Sequence, residues 1–222
     1  MFPAVFSARR LTQTLDFSRG VTMKYVTIVI ALILSSCMPN TYYSTTDDYV
    51  VGLRWFDRGM AAESGQLPGL TKSPLEFFEN AAKYWDPLVE KGDCDAEYRV
   101  GLLHALGKAK PKDMEKAIQL WKKAANGNQQ RAQWAMGDLY YQNIQYTSHH
   151  CTTCSVQKDF VQAYTWYRLM QASAKYDNEK KQAASMLEKL KSEMTPEQIN
   201  EGEARVSSWK PTPKDCGARN LF

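Results

Sequence analysis

The sequence predicts an all-α fold, an α/α solenoid of stacked antiparallel helix pairs. Three observations carry that expectation. A block of helical pattern recurs along the chain, small residues stand at fixed places in each copy, and helix start signals precede the apolar runs.

The elements follow in chain order. Asp47 to Glu63 carries Val50, Val51, Leu53, Trp55, Phe56, Met60 and Ala61 at spacings that suit one short amphipathic helix. Gly65 to Gly69, with Pro68, predicts a turn or loop. Ser73-Pro74-Leu75-Glu76 has the form of a capping box with proline at the first helical position. The helix it opens holds Leu75, Phe78, Ala82, Trp85, Leu88 and Val89 and should end at Lys91-Gly92, with Pro87 as a candidate kink. Asn178 to Lys191 predicts a further helix with Ala183, Met186, Leu187 and Leu190 on one face. Thr195-Pro196-Glu197-Gln198 is a second capping box, opening a helix to about Trp209.

Between these lies the repeat. One unit runs Ala96 to Gly107 and then Lys112 to Asn128; the next runs Arg131 to Gln142 and then Lys158 to Ser173. Ala96 and Ala132, and Gly101 and Gly137, are 36 residues apart. Asp113 and Asp159, Ala117 and Ala163, and Trp121 and Tyr167 are each 46 apart. The ten extra residues lie between Gln142 and Lys158. Alanine and glycine at fixed positions let two helices approach closely, with Tyr98, Leu102, Ile118 and Trp121 filling the space around the contact. One such pair cannot bury its apolar face alone, so neighbours must stack.

These residues resemble the Sel-one-like repeat family, relatives of the tetratricopeptide repeats. The pattern is met by Ala96, Gly101, Leu103, Asp113, Lys116, Ala117, Trp121, Ala124 or Ala125, and Gly127. It is met again by Ala132, Gly137, Leu139, Asp159, Gln162, Ala163, Trp166 or Tyr167, and Ala172. The long insertion in the second unit departs from it, and Phe77 to Gly92 is a degenerate half-repeat. The resemblance covers roughly Leu75 to Trp209. It implies a right-handed superhelix whose concave surface binds proteins or peptides.

The chain's formal charge of +4 is unevenly placed. Residues 1–36 hold Arg9, Arg10, Arg19 and Lys24 against Asp16, a balance of +3 that leaves the body near +1. A near-neutral body without a Lys/Arg cluster argues against nucleic-acid binding. In the leader, Lys24 precedes the apolar run Val26 to Leu34, which is short for a membrane span and suits a signal peptide. It ends in Leu34-Ser35-Ser36-Cys37, which resembles the lipobox of bacterial lipoproteins. That resemblance implies cleavage before Cys37 and lipid on its thiol. Met38, rather than aspartate, follows the cysteine and implies the outer membrane, facing the periplasm, if the cell is Gram-negative. The expected organisation is a leader over 1–36, with 1–22 a candidate misassigned start and the signal peptide about 23–36. A lipid-anchored tether over 37–46 follows, then a short helix and loop over 47–70, the repeat domain over 71–209 and a tail over 210–222.

Two sets of residues stand out as candidate sites. The insertion carries His149, His150, Cys151 and Cys154, thiolates and imidazoles suited to zinc or copper, or a redox dithiol. An oxidising compartment favours disulfides instead. With Cys37 set aside, Cys94, Cys151, Cys154 and Cys216 allow three connectivities. Local pairing of Cys151 with Cys154 leaves Cys94 for Cys216, whereas crossed pairings would span opposite helix ends. The repeating aromatics are expected in the core, but Trp134 and Tyr141 depart from the first unit and are candidate binding-surface residues. No nucleophile–base arrangement, H-E-x-x-H or P-loop occurs in the sequence. The expected function is thus non-enzymatic and without cofactor: a lipid-anchored adaptor for another envelope protein or peptide. A thiol or metal protein working through the insertion is the alternative.

Overall fold

A computed structural model describes residues 47–67, 69, 72–146, 154–212 and 216. Its helices are α1 (Asp48–Glu63), α2 (Pro74–Glu90), α3 (Cys94–Leu106), α4 (Met114–Asn126), α5 (Gln130–Tyr141), α6 (Phe160–Ser173), α7 (Asp177–Lys191) and α8 (Pro196–Ser208). Each of α1 to α6 packs on the next, and α8 packs back on α6. The architecture is an all-α solenoid of stacked antiparallel pairs. Among the described residues no helix is long and apolar enough to cross a membrane.

The spacing of the repeat has a local cause, because the recurring polar residues are helix caps. The carboxylates of Asp113 and Asp159 accept from the amides of Lys116 and Gln162, each at 2.9 Å. Asp93 and Gln129 cap α3 and α5 in the same way, accepting from Ala96 and Ala132. Such caps satisfy amides that no preceding turn can serve. At Thr195 both halves of the capping box form, with Gln198 reaching back at 2.9 Å. At Ser73 the first half is made, from the Glu76 amide at 3.4 Å. Pro87 is accommodated within α2, in the last turn, where the helix continues to Glu90.

The pairs close through glycine against an aromatic ring. A Cβ on Gly101 would fall 2.7 Å from the Trp121 indole, and one on Gly137 would fall 2.6 Å from the Tyr167 ring. Gly52 of α1 meets Trp85 of α2 in the same way. The indole of Trp85 donates to the carbonyl of Tyr49, and that of Trp121 to the carbonyl of Tyr98. In each case the acceptor stands three residues before the glycine, so α1 and α2 form a full unit equivalent to α3 and α4. The half-repeat of Phe77 to Gly92 therefore has its partner in α1. The alanine four residues before each ring (Ala81, Ala117, Ala163) is fully buried in all three units.

The insertion does not disturb α5 or α6. Its described ends form a two-stranded antiparallel hairpin, β1 (Ile144–Tyr146) and β2 (Cys154–Val156), with Ile144 opposite Val156. Those two side chains lie against the core formed by α3 to α6. The Asp159 amide donates to the Tyr140 carbonyl at 2.9 Å and closes the base of the excursion.

After α8 the chain turns back. Trp209 packs on the same core, and the Thr212 amide donates to the carbonyl of Asn126 at the end of α4. Cys216 forms a disulfide with Cys94 at the start of α3, with 5.1 Å between Cα atoms. Gly127 lies directly beneath, where a Cβ would overlap both sulfurs.

Candidate binding surface

Three neighbourhoods hold charged or aromatic groups that could meet a partner. The first surrounds Trp134 and Tyr141. Trp134 is half-buried and stands edge-on to Tyr167, with ring centroids 5.2 Å apart. Asp138 lies between them. Burial raises its pKa, against hydrogen bonds from the Tyr167 hydroxyl and the Trp134 side chain. The Tyr141 hydroxyl donates to Glu193 at 3.0 Å. Its ring tilts against Phe160, with Lys158 and Lys189 over it at 5.3 and 4.9 Å. Both aromatics thus contribute to the seam of α5, α6 and α7 while keeping part of their surface open.

The second is a polar pocket of about 270 Å³ where α7 and α8 diverge over α6, lined among others by Tyr164, Arg168, Leu187, Lys191 and Glu203. Arg168 donates to Glu203 through Nε at 2.8 Å and Nη2 at 3.3 Å, and the Tyr164 hydroxyl donates to the same carboxylate at 2.6 Å. Burial, then the Glu203 carboxylate, push Tyr164 up to about 12. The hydrogen bonds from Arg168, then from Tyr164, hold Glu203 below its usual range. A lowered carboxylate contributes stability above its unfolded pKa and loses it as pH falls through the folded one. Acidification is therefore expected to loosen α8 from α6. The protection of α8 amides against exchange, relative to their intrinsic rates, should fall below the ordinary carboxylate range in the wild type, and Glu203→Gln should show that low protection already at neutral pH.

The third neighbourhood is where α1, α2 and α3 meet. Arg99 is 8% exposed, and its guanidinium sits 5.6 Å from the Phe56 ring, 5.8 Å from Tyr98 and 6.0 Å from Trp85. Its Nε donates to the Tyr49 hydroxyl at 3.4 Å. Among the described residues no carboxylate lies within ion-pair distance of it. Asp57 feels both Arg99 and Arg131, yet burial raises its pKa. Asp95 accepts from the Gln129 amide group at 3.1 Å. The sequence-based expectations passed over this cluster, because the charges of Asp95, Glu97 and Arg99 suggest a solvated helix face.

The remaining candidates fall at the edges of the described residues. Cys94 and Cys216 are joined to each other, and Cys154 in β2 is also disulfide-bonded. Cys37, His149, His150 and Cys151 lie outside the described residues.

Comparison with known proteins agrees with the pattern of pairs. A family model described as the Sel1 repeat matches residues 94–129 and 153–170, covering α3, α4 and much of α6. Among solved structures, the chain is similar to a protective antigen of uropathogenic Escherichia coli strains displaying an SLR fold. The identity is 21% and the TM-score 0.50, over 71% of this chain and 29% of that one. It is also similar to a Sel1 repeat protein from Oxalobacter formigenes, at 23% identity and a TM-score of 0.41, over 74% of this chain and 58% of that one. The chain thus spans less than two thirds of either. No curated protein matches it. The body of the chain is an all-α solenoid of stacked antiparallel helix pairs, consistent with repeats of the Sel1 and tetratricopeptide-like type.

Proposed function

We propose that the protein is a lipid-anchored adaptor of the bacterial envelope, non-enzymatic, whose helical stack binds another envelope protein or peptide. The observation that carries the scaffold role is the stack itself. Its pairs expend their aromatic residues on one another, and what they leave at the surface among the described residues is an extended set of polar and half-buried groups. The location rests on the leader, in which a charged start, a short apolar run and Leu34-Ser35-Ser36-Cys37 agree. Several acyl chains on Cys37 would hold the protein stably, where one chain binds only marginally.

Two experiments test the two halves separately. Labelled palmitate is expected to enter the wild type and not Cys37→Ser, which should leave the membrane fraction. A wild type that takes no label, or a variant that stays with the membrane, would overturn the anchor. Cross-linking in cells followed by mass spectrometry is expected to recover a specific envelope protein. Repeated recovery of none, from a folded and correctly located protein, would overturn the adaptor.

A further inference from the structure

We infer that Arg99 is an anion-recognition residue, and that the ligand it takes is a carboxylate of the bound peptide. The inference rests on the adaptor reading and names the group that the stack would recognise. Three observations lead to it.

The first is a departure within the repeat. Arg99 stands two residues before the pairing glycine Gly101. The equivalent positions are Val50, before Gly52, and Ala135, before Gly137. Val50 is buried as a plain apolar side chain. A guanidinium is not needed to fill this place in the pair.

The second is the absence of a charge partner. A buried cation loses its hydration and is normally compensated by a carboxylate at contact distance. Arg99 is stacked instead among three aromatic rings, which offset part of that loss and hold the guanidinium in one orientation. Of its five N–H groups one is engaged, by the Tyr49 hydroxyl. The Trp166 indole nitrogen is the one fully buried side-chain polar atom without a hydrogen bond among the described residues. The Nη atoms of Arg99 therefore keep contact with solvent. Set among three rings, they offer a planar fork whose geometry matches the two oxygens of a carboxylate.

The third is the electrostatic surrounding. Arg131, on α5, acts on the same two groups as Arg99, namely Tyr49 and Asp57. Positive charge from two adjacent units thus acts on the same groups. Of the nearby carboxylates, Asp57 is kept out of ion-pair contact with Arg99 and Asp95 is engaged by Gln129. A carboxylate from outside would complete the set.

The test uses the protein as isolated from cells, with α1 to α8 intact, and three capped peptides. Acetyl-Gly-Glu-Gly-amide carries only a side-chain carboxylate. Acetyl-Gly-Gly-Gly carries only a terminal one. Acetyl-Gly-Gly-Gly-amide carries none. The readout is the NMR resonance of the Trp85 indole N–H, beside the guanidinium. One or both charged peptides should shift it saturably and the neutral peptide should not, and the responding peptide identifies the source of the carboxylate. In Arg99→Met the affinity should fall about tenfold or more, the scale of a lost charge-assisted hydrogen bond. The Arg99→Met melting temperature should hold or rise, since an uncompensated buried charge is replaced by an apolar side chain. No shift with either charged peptide, undiminished binding by Arg99→Met, or a large drop in its melting temperature would each overturn the inference. If Arg99→Met still captures the cellular partner while the peptides fail, the adaptor survives and the carboxylate site falls.

Discussion

Replacing Cys216 with serine is expected to lower the stability of the repeat domain by about 5 kcal/mol. The disulfide to Cys94 spans 122 residues. A cross-link over that length removes a large share of the unfolded chain's freedom, and the chain-entropy relation places the effect near that value. For a domain of this size the melting temperature should fall by about 10–20 °C. Reductant should reproduce the fall in the wild type and add little in the variant. Gly127→Ala supplies an independent route to the same outcome, because its Cβ would occupy the space of both sulfurs. It should release two thiols to titration without removing either cysteine. If reductant leaves the melting curve of the wild type unchanged, the cross-link carries no such share of the stability.

Gly101→Leu is expected to destabilise the protein by about 3 kcal/mol, at the upper end of what overpacking does in a close-packed core. The Trp121 indole lies where the new side chain would begin, and the Ala117 carbonyl bounds it at 3.3 Å. Neither can withdraw without opening the seam of α3 and α4. Trp121→Ala alone should cost about 3–5 kcal/mol through the cavity it leaves. Combined, the two changes should destabilise by clearly less than their sum, since leucine would occupy part of the space the indole vacates. Chemical denaturation of the four proteins measures that coupling. Strict additivity would mean that glycine and ring do not meet. Gly52→Leu with Trp85→Ala should repeat the result in the first unit, which is the direct test that α1 and α2 form a pair of the same kind.

The same comparison shows why parts of the fold were legible in the sequence and parts were not. The spacing of 36 residues is visible because caps and small residues recur together at Asp93 and Gln129, Ala96 and Ala132, and Gly101 and Gly137. The first unit lacks that spacing. Its glycine and ring, Gly52 and Trp85, are 33 residues apart where Gly101 and Trp121 are 20 apart, so a fixed period misses it. The signal that could have found it is local: Tyr49-Val50-Val51-Gly52-Leu53 and Tyr98-Arg99-Val100-Gly101-Leu102 share Tyr-x-Val-Gly-Leu. Treating α1 as a separate short helix also hid Arg99, since it is α1 and α2 that supply Tyr49, Phe56 and Trp85 around it. The hairpin was equally hidden. Its strands are three residues each, too short for an alternating pattern to stand out, and they are held by burial of Ile144 and Val156 rather than by propensity.

The bond between Cys94 and Cys216 also decides how the molecule answers a pull. A plain stack of repeats peels from either end, one unit at a time. Here everything from α3 to the returning tail lies inside one covalent loop. Tension applied at Cys94 passes to Cys216 through sulfur and leaves the helices between them unloaded. Of the described helices, only α1 and α2 stand outside the loop. A load arriving from the N-terminal side would be borne first by the seam of Gly52 with Trp85 and Gly59 with Phe78. That first pair would yield as an extensible spring, paying out its chain before any force reached the remainder.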